Sequence, residues 1–553
     1  MWGSASAGDH PRDSAGDIEI GTRPGVRERI AWLLRVNRLF GSEERWAKAS
    51  LFAAAFHGGC WSESANESKI SRWETAALRV PYLAIRRYEE LLGVSSGLLT
   101  ATADNVRAYF RAEAGRRSTS GWNGGRGGPV PARRIQELID KAGSSEVMTG
   151  QEWDELTREI SSVPNFYIFP SATWATLAQR LLEEQIIADR VSWMQRFGAL
   201  DRLLNHRVAQ ESTIGACAEL ARDKINQVGI EVICAMDATP HPDASTHVLA
   251  QLSDPTSDMT FYGALLACVR KVSNGHFTPD EGRQLASVVV SLLGDPSRDD
   301  EAKTLAASLL RWLPDNLPGP VAGKLRQSVA DDEALSRVVA TGRLGSSEQA
   351  SALVDRVVLT AAAQMPREGP WLFDETLARM VDEMLYDPVS DVRLEAAFLI
   401  HATPYRAAVA AELATELSRS ATSADADLAV CILDALRLIG GPQQRPLVER
   451  LTLSPGVPAP VVAAAARNIG HLGGTSDDGY WCRAIARHCQ PARQAASPAS
   501  GAILRGLVYG LGMARNDVLL ARVRDLPGAP WQARQAASWW LGHSERTRLS
   551  AGL

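Results

Sequence analysis

The chain has 553 residues, 45% of them apolar and 22% charged, with a formal net charge of −5. That length exceeds the roughly 100–200 residues that one core serves, so several domains or a repeat array are expected. The longest apolar runs, such as 459–466, are far too short for a bilayer, which excludes a membrane-spanning chain.

The charge is unevenly spread. Residues 1–134 carry 20 Lys plus Arg against 14 Asp plus Glu, a net +6, and the remainder carries −11. A basic N-terminal part on an acidic body is the distribution that a phosphate backbone needs, because an evenly acidic surface repels it.

In chain order, residues 1–22 form a polar, acidic tail with neither the basic start nor the apolar middle of a signal peptide, so a cytoplasmic protein is expected. Residues 23–111 form a helical block. Val26, Ile30, Leu33, Leu34 and Leu39 recur near helical spacing, and Trp46, Ala49, Leu51, Phe52 and Phe56 do so over 43–56, predicting two helices. Gly58 and Gly59 stop the second. A third helix is predicted from Glu67, capped by a polar residue such as Asn66, with Ile70 and Trp73 on one face and Ser68, Lys69, Ser71 and Arg72 on the other. Pro81 opens a fourth helix that Gly93 ends.

Residues 112–134 are too rich in Gly, Pro and Ser for regular structure and read as a flexible tether between independently folding parts. Beyond it, a helical connecting region (135–200) and a helical body (201–553) show no strand alternation, so the protein is expected to be all-α. Asp254-Pro255, Asp295-Pro296 and Asp387-Pro388 open turns about 41 and 92 residues apart, which fits a period of ~40–47. In this reading each Asp caps the new helix and each Pro occupies its first turn. The stretch from Asp387 through Val392, Arg393, Ala396 and Ala397 to Leu399 resembles the HEAT-repeat signature, with weaker copies at 461–470 and 531–541.

The segments ESKISRWETA (67–76) and RVPYLAIRRYEELLGV (79–94) resemble the Xre-type, phage-repressor-like helix-turn-helix family, over residues 24–99. The resemblance implies that the third helix enters the major groove of double-stranded DNA, with Ser68, Lys69, Ser71 and Arg72 reading bases and Asn66 and Arg79 meeting phosphates. Ile70, Trp73 and Glu74 are assigned to packing or helix-end contacts. Two departures stand out. Residues 58–65 lengthen the turn before the third helix, and Ala76 replaces the family's Gly, so the following turn is expected to avoid a left-handed residue.

Other chemistry is weakly represented. Cys60, Cys217, Cys234, Cys268, Cys431, Cys482 and Cys489 form no C-x-x-C pair and read as small core residues. Cys482, His488, Cys489 and His471 match no common zinc spacing, and neither metal nor cofactor is expected. The acidic runs 299–301 and 331–333 read as helix starts, and Trp539-Trp540 as core. The expected function is therefore a non-enzymatic, sequence-specific transcriptional regulator whose repeats bind a protein partner or mediate self-association, with a homodimer suited to paired half-sites. The alternatives are a HEAT-repeat scaffold with an auxiliary DNA-docking module, or a HEAT-like DNA glycosylase, for which no catalytic Asp in a suitable aromatic setting is evident.

Overall fold

The computed structural model describes residues 23–111, 132–162, 169–311, 327–345, 347–366, 374–419, 425–494 and 498–553, together with Gly323. The tail expected over 1–22 and most of the expected tether, 112–131, lie outside the described residues. The tether's last residues, 132–134, already belong to a helix, Ala132–Gly143. Among the described residues every extended element is helical and there is no strand. A lone β-bridge joins Gly58 to Trp61. No helix among the described residues is long and apolar enough to cross a membrane.

The N-terminal block consists of α1 (Val26–Phe40), α2 (Ala49–Ala55), α3 (Glu67–Glu74), α4 (Tyr82–Leu92) and α5 (Leu98–Tyr109). The single helix predicted over 43–56 is instead a 3-10 turn, Glu44–Ala47, followed by α2, because Lys48 takes an extended backbone between them. The start of α3 at Glu67, the start of α4 after Pro81 and the left-handed Gly93 that ends α4 are as predicted.

Beyond α5 the helices pair into hairpins, and the second helices of successive hairpins pack side by side. Gly229–Ala235, Asp258–Ser273 and Asp300–Leu309 form one such row. Ser390–His401, Ala426–Ile439, Ala459–Asn468, Pro498–Met513 and Trp531–Gly542 form another. This is the packing of a helical-repeat body. The helices of the second row open 33–39 residues apart, a shorter period than the Asp-Pro turns implied. Close approach is built in: a Cβ at Gly506 would stand 3.0 Å from the Ala463 carbonyl, and one at Gly510 3.1 Å from that of Ala466.

The Asp-Pro turns differ from expectation. Asp254 and Asp387 end the preceding helices, and the new helices are capped further on, by the Ser257 and Asp299 side chains in the first two cases. Asp387 instead accepts from the Val389 N–H at 2.9 Å within the turn. Proline restricts the residue before it to extended backbone, so the pair belongs to the turn rather than to the helix. Arg393 then braces that turn, donating to the Asp387 carbonyl at 2.8 Å. The acidic runs do begin helices, with Asp299 and Asp332 as caps. Trp539 and Trp540 are buried edge to face. Four of the cysteines are buried, Cys60 and Cys234 are half-buried, and Cys482 is exposed rather than in the core.

The N-terminal block is not held to the body by the 112–134 segment alone, as the reading of independently folding parts requires. Helix α1 is buried on both sides. Arg29, fully buried, donates to both Glu383 oxygens at 2.7 and 2.8 Å and lies over the Phe110 ring. Trp32 Nε1 donates to Asp374, and Asn37 Nδ2 donates to the Ala402 carbonyl at 2.8 Å. Arg23 reaches Glu383 and Asp387, and Arg111 makes a two-pronged bridge to Asp201 at 2.8 Å. Helix α5 packs along Arg190–Leu204. Part of the basic excess of the N-terminal block is therefore spent on the acidic body of the same chain.

Candidate nucleic-acid interface

Helix α3 is presented by a small aromatic core. Ile70 and Trp73 are fully buried, Trp73 packing on Phe56 and edge to face on Trp61. The lengthened turn before α3 folds back on itself. Gly58 and Trp61 exchange backbone hydrogen bonds of 2.8 and 3.0 Å, and Gly58 and Gly59 supply the positive φ values this reversal needs. The inserted Trp61 thereby becomes a core residue wedged between Phe56 and Trp73. Arg87 of α4 closes the end of α2 by donating to the Ala55 and Phe56 carbonyls at 2.8 and 2.9 Å, and it pairs with Glu90.

The far end of α3 is locked by Glu74. Its carboxylate takes two 2.6 Å hydrogen bonds from Arg38 of α1 and one of 3.0 Å from the Tyr88 hydroxyl. Arg38 also donates to the Trp46 and Ala47 carbonyls, so one guanidinium ties α1, the 3-10 turn and α3 together. Burial alone would lower the pKa of Arg38, but the Glu74 carboxylate overrides it and the pKa is raised. Burial, reinforced by Glu74, pushes the Tyr88 phenol well above its ordinary range. After Glu74 the chain turns through Ala76 at φ +61°, so the left-handed position is occupied by alanine after all, contrary to the expectation from its side chain.

On the outer side, Ser68, Ser71 and Arg72 are exposed on one face of α3, and Arg79 is exposed in the α3–α4 turn. The other two predicted contact residues have structural partners. The Asn66 side chain accepts from the Lys69 N–H at 2.8 Å and is the N-cap of α3. Lys69 is half-buried, its ammonium 3.1 Å from Glu63 and 5.2 and 5.4 Å from the Trp61 and Trp73 ring centres. The structure thus brings Ser68, Ser71 and Arg72 together, and turns Lys69 toward the inserted turn. The sequence reading missed the Arg38–Glu74 lock, Arg87 and the burial of Trp61. A charged pair 36 residues apart leaves no local periodic signal, whereas a large aromatic inside a Gly-flanked turn was a visible hint.

The two histidines near Cys482 and Cys489 in the sequence each have partners within the chain. His471 Nδ1 lies 3.0 Å from Asp189 and its Nε2 3.1 Å from the Tyr509 hydroxyl, while His488 Nε2 faces the Thr452 carbonyl. Among the described residues no cluster of metal-ligating side chains is found. Compared with known protein families, curated proteins and solved structures, the chain matches none, so its reading rests on the geometry of α3 and the helices that hold it.

Proposed function

We propose that this chain is a sequence-specific, double-stranded-DNA-binding transcriptional regulator of the Xre-like helix-turn-helix type, acting in the cytoplasm. The observation that carries the reading is the division of α3 into a buried face of Ile70, Trp73 and Glu74 and an exposed face of Ser68, Ser71 and Arg72. A helix so held projects short hydroxyls and one guanidinium, the groups that hydrogen-bond to base edges in the major groove. Arg79 and the exposed amide of Asn66 meet phosphates in this reading, while Lys69, paired with Glu63 beside Trp61, holds the inserted turn. In this reading the helical-repeat body contacts a protein partner or a second copy of the chain, and a dimer would read paired half-sites.

The test begins with a site selected from random duplexes by the full chain. Arg72→Ala should weaken that site by about 1–3 kcal/mol, roughly 5- to 150-fold, with a much smaller loss on random duplex in the same anisotropy titration. Equal losses on both duplexes would remove Arg72 as a base reader.

One observation favours a second reading, in which the chain is foremost a helical-repeat scaffold: α1 and α5 are buried in the body as structural members, through Arg29, Trp32, Asn37 and Arg111. If selection enriches no site and the residual DNA binding of wild-type protein vanishes at physiological salt, the scaffold reading stands and the regulator reading falls.

A further inference from the structure

A cavity of about 470 Å³ opens where three parts of the chain meet. Its walls include Ser96 from the turn before α5, Arg190 and Gln195 from the helix Arg190–Leu204, and His401 and Arg406 from the repeat body. Gln195 is 6% exposed and borders the cavity, and its side chain makes no hydrogen bond to any described residue. Two glycines make room for its amide. A Cβ at Gly97 would stand 2.1 Å from Nε2, and one at Gly150 would stand 2.5 Å from Oε1. The amide is not sealed off from the opening, so a polar group held there can pair with it.

The charges around the opening are mostly positive. Arg190 takes a left-handed backbone, φ +48°, and with one Nη it donates to the carbonyls of Gly440 and His471. Arg406 donates through Nε to the Ile439 carbonyl at 2.9 Å and through Nη2 to that of Gly440 at 2.8 Å. For both arginines, the other Nη has no hydrogen-bond partner among the described residues. The His401 ring, held neutral with its pKa pushed down to about 4 by burial and by Arg406 and Arg190, has Nδ1 2.9 Å from the Leu438 carbonyl. That nitrogen therefore donates, and Nε2 is left as an acceptor. Asp189 is the one carboxylate side chain in the wall; His471 engages one of its oxygens at 3.0 Å and the Arg190 Nε lies 3.7 Å from the other, which leaves the Nη edge of Arg190 facing the opening.

We propose that this cavity is a binding site for a small organic anion, whose carboxylate or phosphate meets the open guanidinium edges of Arg190 and Arg406 while a neighbouring polar group pairs with the Gln195 amide. Bidentate-capable guanidiniums select planar or tetrahedral oxyanions, and the amide adds a requirement for a hydrogen-bonding group nearby. The ligand would touch the N-terminal block, the connecting helices and the repeat body at once. The proposal does not depend on the DNA reading.

The test uses the full chain with citrate as the carboxylate probe and adenosine monophosphate as the phosphate probe, ionic strength being matched with sodium chloride. At least one should raise Tm saturably by about 3 °C or more. Gln195→Met, which keeps the side chain's volume and removes no hydrogen bond within the chain, should shift the half-saturating concentration by about tenfold or more, as should Arg406→Gln. If Arg406→Gln fails to fold for want of its helix-end contacts, Gln195→Met decides alone. No saturable rise with either probe, or an unchanged midpoint in Gln195→Met, overturns the proposal.

Discussion

Ala76 illustrates how a single residue can be under local strain for the sake of a neighbouring helix. A side chain at φ +61° crowds its own backbone, at a cost of about 1–2 kcal/mol relative to the right-handed region, and glycine escapes that cost. The surrounding contacts over-determine the turn. Immediately before it Glu74 is pinned by Arg38 and Tyr88, and just after it the Leu78 N–H bonds to the Arg72 carbonyl at 2.9 Å. Glycine's greater freedom in the unfolded chain offsets part of the gain. Ala76→Gly should therefore stabilise the protein by about 0.5–1 kcal/mol, read as a higher urea midpoint at unchanged slope. A lower midpoint would mean that the alanine methyl makes packing contacts worth more than the strain. Alanine in place of the glycine that the helix-turn-helix resemblance implies predicts a turn without a left-handed residue. The left-handed turn forms nevertheless, because a local preference of this size yields to a buried bidentate ion pair next door.

At the level of elements, α3 was legible and α1 only half so. In α3 the three-residue spacing of Ile70 and Trp73 marks the inner face, and the structure buries those two and leaves Ser68, Ser71 and Arg72 outside. In α1 the apolar stripe was visible, but Arg29 and Asn37 have the composition of a solvated face and are in fact buried against the helix Glu375–Tyr386 and the Ala402 carbonyl. Periodicity reports that a residue is polar, not whether a partner hundreds of positions away will satisfy it. The helix Ser390–His401 carries the opposite case, a buried carboxyl without a hydrogen-bond partner for its Oε2. Glu395 is 2% exposed, and burial, reinforced by Asp391 and only partly countered by Arg270 and Arg29, pushes its pKa up to about 8. The unfolded chain releases this proton near pH ~4.3, so the folded state holds it where the unfolded state has lost it. That contribution is complete below the unfolded pKa, falls as pH rises, and is gone once pH passes the folded pKa. Glu395→Gln should therefore flatten the decline of stability between about pH 5 and pH 8, and at about pH 8 the variant should be at least as stable as wild type by urea denaturation. Parallel pH profiles for the two proteins would place the charged form of Glu395 in a better-solvated setting than its burial implies.

Considered as a whole molecule, the charge asymmetry that first pointed to DNA has two destinations. Arg72 and Arg79 face solvent, whereas Arg23, Arg29 and Arg111 are committed to Glu383, Asp387 and Asp201. Counting charges by segment could not separate these, because the pairs join residues from 90 to 364 positions apart. The docking matters most at Glu383, where one carboxylate receives both Arg23 and the fully buried Arg29. Removing it leaves a guanidinium desolvated between the Phe110 ring and the body with no counter-charge, and breaking a buried pair in this way costs about 3–5 kcal/mol. An interface of this kind also joins the two parts of the chain thermodynamically, so the N-terminal block should unfold with the body rather than ahead of it. Calorimetry of the full-length protein should show one coupled transition for the block and the repeats it touches, and Glu383→Ala should lower its Tm and split off a low-temperature transition. Replacing both partners, Arg29→Met with Glu383→Leu, should recover much of that loss, because no buried charge is then left unpaired. If wild-type protein already melts in two steps, with the first unaffected by Glu383→Ala, the block is a separately stable module after all, and α3 is positioned by its own five helices without help from the body.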